Sequence, residues 1–363
     1  MIGIGIVGYG YWGPNLVRNF SQTDGARVIC VCDQSEARRR QVEAHYPAIK
    51  TVAKIEDLLA DTSIDAVAIA TPVSSHFELS MMALRAGKHV LVEKPMTSTA
   101  EQAEKLIEEA DKRGLTLMVD HTFIYTSAVR KIKELVDNGT LGDLYYYDSV
   151  RVNLGLLQHD VNVLWDLAVH DLSIMDFVLG RPPKMIAATG VASVAGHPES
   201  LAYLTCFFAD NLIAHFHVNW LAPVKIRRTL VGGSEQMIEW DDMQLSEKLR
   251  IYDKGVTVTS MPASSRKPGQ PPASTRLKLD QSSEGAYQLK VGYRAGDMWA
   301  PHLPNVEALQ VEARHFLDCI RTKERPTSDG RAGLRVVRVL EAASLSMAKH
   351  GQPIELKLEG ASS

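Results

Sequence analysis

The chain has 363 residues, 45% of them hydrophobic and 23% charged, which are the proportions of an ordinary soluble globular protein and exclude a small disulfide or metal scaffold. Forty Lys and Arg stand against 43 Asp and Glu, and the net charge of −3 argues against a surface built to neutralise nucleic acid. At this length two domains are expected, each able to bury its own core.

In chain order, short β-branched runs come first: Ile2–Val7, Val28–Cys32, Ala66–Ala70, His89–Val92 and Thr116–Val119 read as strands. Amphipathic stretches separate them at Ser35–His45, Ile55–Ala60, Ser75–Ala86 and Thr99–Lys112. Right-handed crossovers turn such a series into a parallel sheet covered on both faces. Beyond residue 121 the rhythm changes. A helix near Ala128–Asn138, a strand near Leu144–Val152 and a helix near Trp165–Leu179 are followed by extended runs at Met185–Val194, Leu201–Phe208, Leu212–Trp220, Ile226–Val231 and Gln236–Trp240. Ser260–Thr275, with nine Pro, Ser or Gly in sixteen residues, reads as an irregular loop. Helices near Val306–Arg321 and Gly330–Lys349 and a strand at Pro353–Lys357 close the series. The expected fold is α/β: a doubly wound parallel Rossmann sheet over residues 1–120, then an α+β domain over 121–363 with a predominantly antiparallel, open-faced sheet.

Met1 to Val17, the longest uncharged run, holds five glycines, is too short to span a membrane and lacks the basic start of an export signal. A cytoplasmic location without membrane contact is the expectation. Cys30 and Cys32, two apart on a strand, share a face, while Cys206 and Cys319 stand alone. This is neither a zinc spacing nor a CxxC pair, so no metal is expected and the four read as reduced core thiols.

Gly8-Tyr9-Gly10-Tyr11-Trp12-Gly13 is a GxGxxG between the first strand and a helix whose first turn holds Pro14. Gly8 permits the tight turn, Gly10 lets backbone approach a pyrophosphate, and Gly13 lets helix pack on strand. Asp33, ending the second strand, suits the ribose hydroxyls and repels a 2′-phosphate, so NAD is favoured over NADP. Arg38, Arg39 and Arg40 weaken that preference unless they form a solvated helix face. Tyr11 and Trp12 lie where they would pack near the nicotinamide end.

His89-Val90-Leu91-Val92-Glu93-Lys94-Pro95 resembles the EKP segment of the glucose-fructose oxidoreductase / inositol dehydrogenase (Gfo/Idh/MocA) family. Thr71-Pro72 with His76, Ala86-Gly87-Lys88-His89, the Asp166, His170 and Asp171 pattern and the segment from Pro326 to Ala343 add to the resemblance. It implies a reversible hydride transfer between nicotinamide and a secondary alcohol of a sugar, nucleotide sugar or polyol. Thr71, Pro72, His76, Glu93 and Lys94 would then face the cofactor, and Pro95 would follow a cis bond. Lys94 follows a parallel strand's C-terminal end, where open α/β sheets bind ligands. Asp166 and His170, four apart on an expected helix, read as an acid/base pair in which the carboxylate orients the imidazole and favours its protonated form. The Lys94 ammonium would stabilise the partial alkoxide.

Tyr125, Arg151, His159, Asp160 and Asn162, with Lys94 and His170, are the candidate substrate contacts; Lys225 and Arg227, alternating on a strand, offer an anion contact. Thr122 and Ile124 stand where many relatives carry Asn and Arg, and Ser173 where some carry Asp. The opening GYGYWGPNLVRNF is similar to members associated with bacterial surface polysaccharides, which makes a nucleotide sugar oxidised at C3 the first substrate expected and a polyol or free sugar the second. Two other functions belong to the same family: a glycosidase using transient oxidation, and a non-catalytic NAD-binding regulator. An uncovered sheet face in the second half implies a homodimer or homotetramer.

Overall fold

The structure is a computed structural model in which residues 1–155, 157–159, 161–260 and 289–356 are described. Six described strands, β1 (Ile2–Val7), β2 (Ala26–Cys32), β3 (Lys50–Val52), β4 (Ala66–Ile69), β5 (His89–Glu93) and β6 (Leu117–Asp120), form a parallel sheet in the order β3-β2-β1-β4-β5-β6. That is the doubly wound Rossmann order, whose direction of progression reverses between β1 and β4. Period-two alternation divides each strand between two cores. Ile2, Ile4, Ile6, Val31, Ala66 and Ala68 face one, while Val7, Cys30, Cys32, Val67 and Ile69 face the other. Cys30 and Cys32 therefore do share a face; they are free and buried, and burial pushes their thiols up to about 11 and about 12.

The connecting helices are α1 (Gly13–Gln22), α2 (Glu36–His45), α3 (Ile55–Leu59), α4 (Val73–Arg85) and α5 (Ala100–Arg113). Each limit of α5 has a local cause: Thr99 accepts the Gln102 N–H at its start, and Gly114 takes the left-handed conformation, φ 65°, at its end. The short strand β3 was not expected.

After α6 (Ser127–Asp137) come β7 (Leu144–Leu154), a π turn (Leu164–Ala168) running into α7 (Val169–Leu179), β8 (Met185–Val191), β9 (Leu201–Phe207), β10 (Ile213–Asn219), β11 (Leu221–Gly233) and β12 (Met237–Asp241). Then follow β13 (Leu249–Ser260), β14 (Leu289–Trp299), α8 (Ala308–Thr322), α9 (Gly330–Ala348) and β15 (Ile354–Glu355). The described strands of this half form one sheet in the order β14-β13-β12-β11-β7-β10-β9-β8-β15, antiparallel throughout except between β7 and β10. The strands β13 and β14 correct the sequence reading, which left their residues without structure. Residues 261–275 of the expected loop lie outside the described residues.

The closing helices pack back on the first sheet: Phe20 of α1 meets Phe316 of α8 with ring centroids 6.3 Å apart, and Leu334 of α9 joins the core formed with β4 and β5. Just before α9, Ser328 O accepts the Val119 N–H at 2.8 Å and Asp329 bridges Met118, so residues from the chain's far end line the β6 edge. One core runs unbroken from this sheet into the second half, through Ile124, Val169, Phe216 and Trp220.

Candidate active site

Three loops meet at the C-terminal edge of the parallel sheet, after β1, β4 and β5. In the first, Gly8 has φ 95°, and a Cβ there would lie 2.4 Å from the Ala70 carbonyl oxygen; a Cβ on Gly13 would lie 2.2 Å from that of Gly8. Chain packing alone demands both glycines. Gly10 differs. Its Cβ would meet nothing nearer than Arg38, at 3.8 Å, so the open space beside this backbone suits an approaching pyrophosphate at the start of α1.

Asp33, only 7% exposed, accepts the Tyr9 N–H at 2.7 Å on one oxygen and the Ser35 N–H at 2.8 Å on the other. Arg38 stands 3.6 Å from the same carboxylate, whereas Arg39 donates to the Asp33 and Gln34 carbonyls and Arg40 pairs with Glu36. Tyr11 is 94% exposed. The Trp12 indole donates to Asp120 Oδ2 at 2.7 Å, fastening the glycine turn to the end of β6.

His76 is buried and both its nitrogens are occupied within the chain, at 2.7 Å from the Thr71 carbonyl and 2.9 Å from the Pro95 carbonyl. It braces the Thr71-Pro72 turn, expected to face the cofactor, against the loop after β5. The Lys94–Pro95 bond is cis. Glu93 accepts the Lys94 N–H at 2.7 Å, and burial with Asp120 nearby pushes its carboxyl well above the usual range.

Lys94 crosses to the second half of the chain. Its Nζ donates to the Asp166 carbonyl at 3.1 Å and lies 3.6 Å from Asp166 Oδ1, while Trp220 Nε1 donates to Asp166 Oδ2 at 2.9 Å. Asp166 is thus spent on Lys94 and Trp220 and makes no hydrogen bond to His170. The expected dyad assumed an α-helix through both residues; Asp166 instead sits in a π turn, and its carboxylate is turned to Lys94 and Trp220. His170 has Phe123 against its ring, centroids 5.1 Å apart, and its Nδ1 is sealed from solvent without a partner among the described residues. Burial, then Lys94, Arg151, His121 and Arg227, hold its pKa well below 6.5. The imidazole is therefore kept neutral, opposite to the protonated form expected from the sequence.

Several expected substrate contacts have other work. Tyr125 is 1% exposed, with its hydroxyl 3.0 Å from Ser328 Oγ and Arg130 over its ring. Arg151 is buried in a two-pronged pair with Asp171, at 2.7 and 3.0 Å, its guanidinium 4.5 Å from the Phe123 centroid. Asn162 accepts the Leu164 and Trp165 N–H groups and donates to Glu199. Within the chain these three make structural contacts. His159 lies against His197, ring centroids 4.4 Å apart and tilted by 40°, and Asp160 lies outside the described residues. Lys225 is exposed; Arg227, half-buried and 3.5 Å from Asp242, reaches over the same Phe123 ring at 5.6 Å. Thr122 donates to Asp120, Ile124 is buried, and Ser173 Oγ donates to the His170 carbonyl at 2.7 Å.

Residues 2–121 match the model of an oxidoreductase family with an NAD-binding Rossmann fold, and residues 129–239 match the GFO/IDH/MocA C-terminal domain. The chain belongs to the GFO/IDH/MocA family. It is 32% identical to the scyllo-inositol 2-dehydrogenase (NADP(+)) of Bacillus subtilis, across 94% of this chain and 92% of that one. It is 27% identical to the UDP-N-acetylglucosamine 3-dehydrogenase of Acidithiobacillus ferrooxidans, across 71% of this chain and 79% of that one. A solved structure of the latter enzyme has a TM-score of 0.74 at 24% identity, covering 96% of this chain and 99% of that one.

This family member is an NAD(P)-dependent oxidoreductase, and the open space at Gly10, the start of α1 and the Asp33 carboxylate fit the dinucleotide. The sequence reading missed Trp220, Phe123 and His121. Trp220 has no local signal, because its partner Asp166 is 54 positions away. Phe123 and His121 stood in the segment singled out for departing from the family pattern, and burial was the missing information.

Proposed function

We propose that this oxidoreductase transfers a hydride between nicotinamide and a secondary hydroxyl of a nucleotide sugar, with a polyol as the second reading. One observation carries the chemistry: a cationic Lys94 held by Asp166 and a neutral His170 share one site drawn from both halves of the chain. Bound nicotinamide supplies the hydride acceptor at C4. His170 Nδ1 is sealed, so Nε2 is the nitrogen left to take the hydroxyl proton, and a neutral ring is ready to do so. The Lys94 ammonium stabilises negative charge growing on the alcohol oxygen, and Asp166, steadied by Trp220, fixes that ammonium. Both a UDP-N-acetylglucosamine 3-dehydrogenase and a scyllo-inositol 2-dehydrogenase are among the relatives, which supports a cyclic secondary alcohol as the substrate.

The test is a panel of UDP-N-acetylglucosamine, its uronic acid, scyllo- and myo-inositol and glucose, each with NAD and NADP, read by nicotinamide absorbance. Stoichiometric NADH with a UDP-sugar is expected, with a lower Michaelis constant for NAD because the buried Asp33 carboxylate opposes a 2′-phosphate. Reduction of only the inositols moves the substrate to a polyol. Bond cleavage without net NADH identifies a glycosidase, and no turnover of any kind a regulator.

We also infer a cytoplasmic homodimer or homotetramer. Four free, buried cysteines support a reducing compartment, and among the described residues no helix is long and apolar enough to cross a membrane. Val191, Tyr203 and Ile213 stand 56%, 41% and 40% exposed on the outer sheet face, which supports a second copy covering it. Light scattering at more than the monomer mass is the expected result; a monomer alone refutes it.

A further inference from the structure

Two arginines stand side by side on the second sheet. Arg151 of β7 and Arg227 of β11 are directly opposed in the antiparallel register, and both guanidinium groups reach the Phe123 ring, 4.5 and 5.6 Å from its centroid. Like charges facing each other across a strand pair destabilise a sheet, so this arrangement needs a compensation. Arg151 has one within the chain, because Asp171 meets it through two hydrogen bonds. Arg227 is held far more weakly. Its one ion pair among the described residues is with Asp242 at 3.5 Å, and Asp242 also stands 3.7 Å from Lys248.

The same aromatic ring joins Arg227 to the reaction. His170 packs against Phe123 with ring centroids 5.1 Å apart, so the imidazole and the Arg227 guanidinium flank one side chain, within reach of a single substrate molecule. Arg151 is buried, whereas the Arg227 side chain is 33% exposed and open to a ligand. Lys94, Arg151 and Arg227 each oppose an imidazolium at His170. An anion seated on Arg227 cancels one of these oppositions as the ring takes the hydroxyl proton.

We propose that Arg227 is a specificity-determining residue of this site, binding a carboxylate or phosphate carried by the sugar whose hydroxyl is oxidised. The inference rests on the dehydrogenase reading and narrows its substrate to an acidic sugar derivative. A guanidinium suits the task, because its planar fork takes two oxygens of either group. The opposed arginines then cost the sheet some stability in return for reading the substrate.

The experiment compares the wild type with Arg227→Gln and Arg227→Lys, each as the full chain saturated with NAD. The substrates are UDP-N-acetylglucosamine, its uronic acid, free glucuronate and scyllo-inositol. With the acidic compounds Arg227→Gln should raise KM roughly ten- to a hundredfold, the worth of a hydrogen bond to a charged group, while kcat stays near the wild-type value. Arg227→Lys should recover part of that loss, and KM for the inositol should not move. A loss that includes UDP-N-acetylglucosamine assigns the phosphate as the group held; a loss confined to the two uronic acids assigns the carboxylate. Unchanged KM for every acidic compound, an equal loss with the inositol, or a wild type that oxidises the inositol alone overturns the proposal. Urea unfolding separates recognition from packing. Relieved of its like-charged neighbour, Arg227→Gln should unfold at the same or a higher midpoint, and a lower one marks a structural role instead.

Calorimetry on the NAD-saturated proteins needs no turnover. Glucuronate or UDP-N-acetylglucosamine should bind Arg227→Gln at least tenfold more weakly than the wild type, and glucose should bind both alike. Equal affinity of both anions for the two proteins refutes the role of Arg227 whether or not any alcohol is oxidised. A difference in anion binding without oxidation refutes the dehydrogenase reading and leaves the anion site standing.

Discussion

Replacement of His170 with alanine is expected to lower turnover by roughly 10²–10⁴, the usual worth of a positioned general base, while the affinity for NAD stays near the wild-type value. Steady-state kinetics with the substrate found by the panel, and cofactor binding by fluorescence, check both halves of this statement. The wild-type pH profile belongs to the same prediction. Burial and then Lys94 hold the His170 pKa well below 6.5, so the ring remains an unprotonated base at pH 6.5. The acid limb of kcat/KM therefore falls below that pH. Wild-type turnover in the alanine variant, or an acid limb at or above pH 6.5, removes His170 from the role.

The second large effect is on stability. Asp171→Ala leaves the Arg151 guanidinium buried, 3% exposed, without the carboxylate that now meets it through two hydrogen bonds. Breaking one side of such a pair costs about 3–5 kcal/mol, because an uncompensated charge remains in the interior. The urea midpoint should fall accordingly. The double variant Arg151→Met with Asp171→Leu should recover most of the loss, since no charge is then stranded. A single-variant unfolding free energy within about 1 kcal/mol of wild type contradicts the account.

How much of this was legible in the sequence depends on which force shaped each element. The strands β1, β4 and β5 declared themselves because two-sided burial writes continuous apolar runs. The strands β13 and β14 were harder to read, because only the start of β13, at Leu249 and Ile251, enters the core, whereas Val256 and Tyr293 are 48% and 85% exposed where the two strands pair. At the site, motif positions found Lys94, Asp166 and His170, but the carboxylate expected to hold His170 meets Lys94 and Trp220. Spacing along a helix cannot reveal a π turn, and it offered Asp166 to His170 when the fold gives it to Lys94 and Trp220. Polar residues in loops looked like substrate contacts because sequence does not display burial. Tyr125 and Arg151, at 1% and 3% exposure, are interior residues.

The tie between the β6 edge and the residues preceding α9 bears on how the molecule is made. The nucleotide-binding sheet leaves the ribosome first, but Val119 finds its hydrogen-bond acceptor in Ser328, and Leu117 and Val119 pack against Gly330 and Gly333 of α9. Until that late helix emerges, the nascent sheet carries a raw margin with donors unmet and apolar side chains bare. The margin of the first sheet is therefore completed only once the residues around the start of α9 have been made.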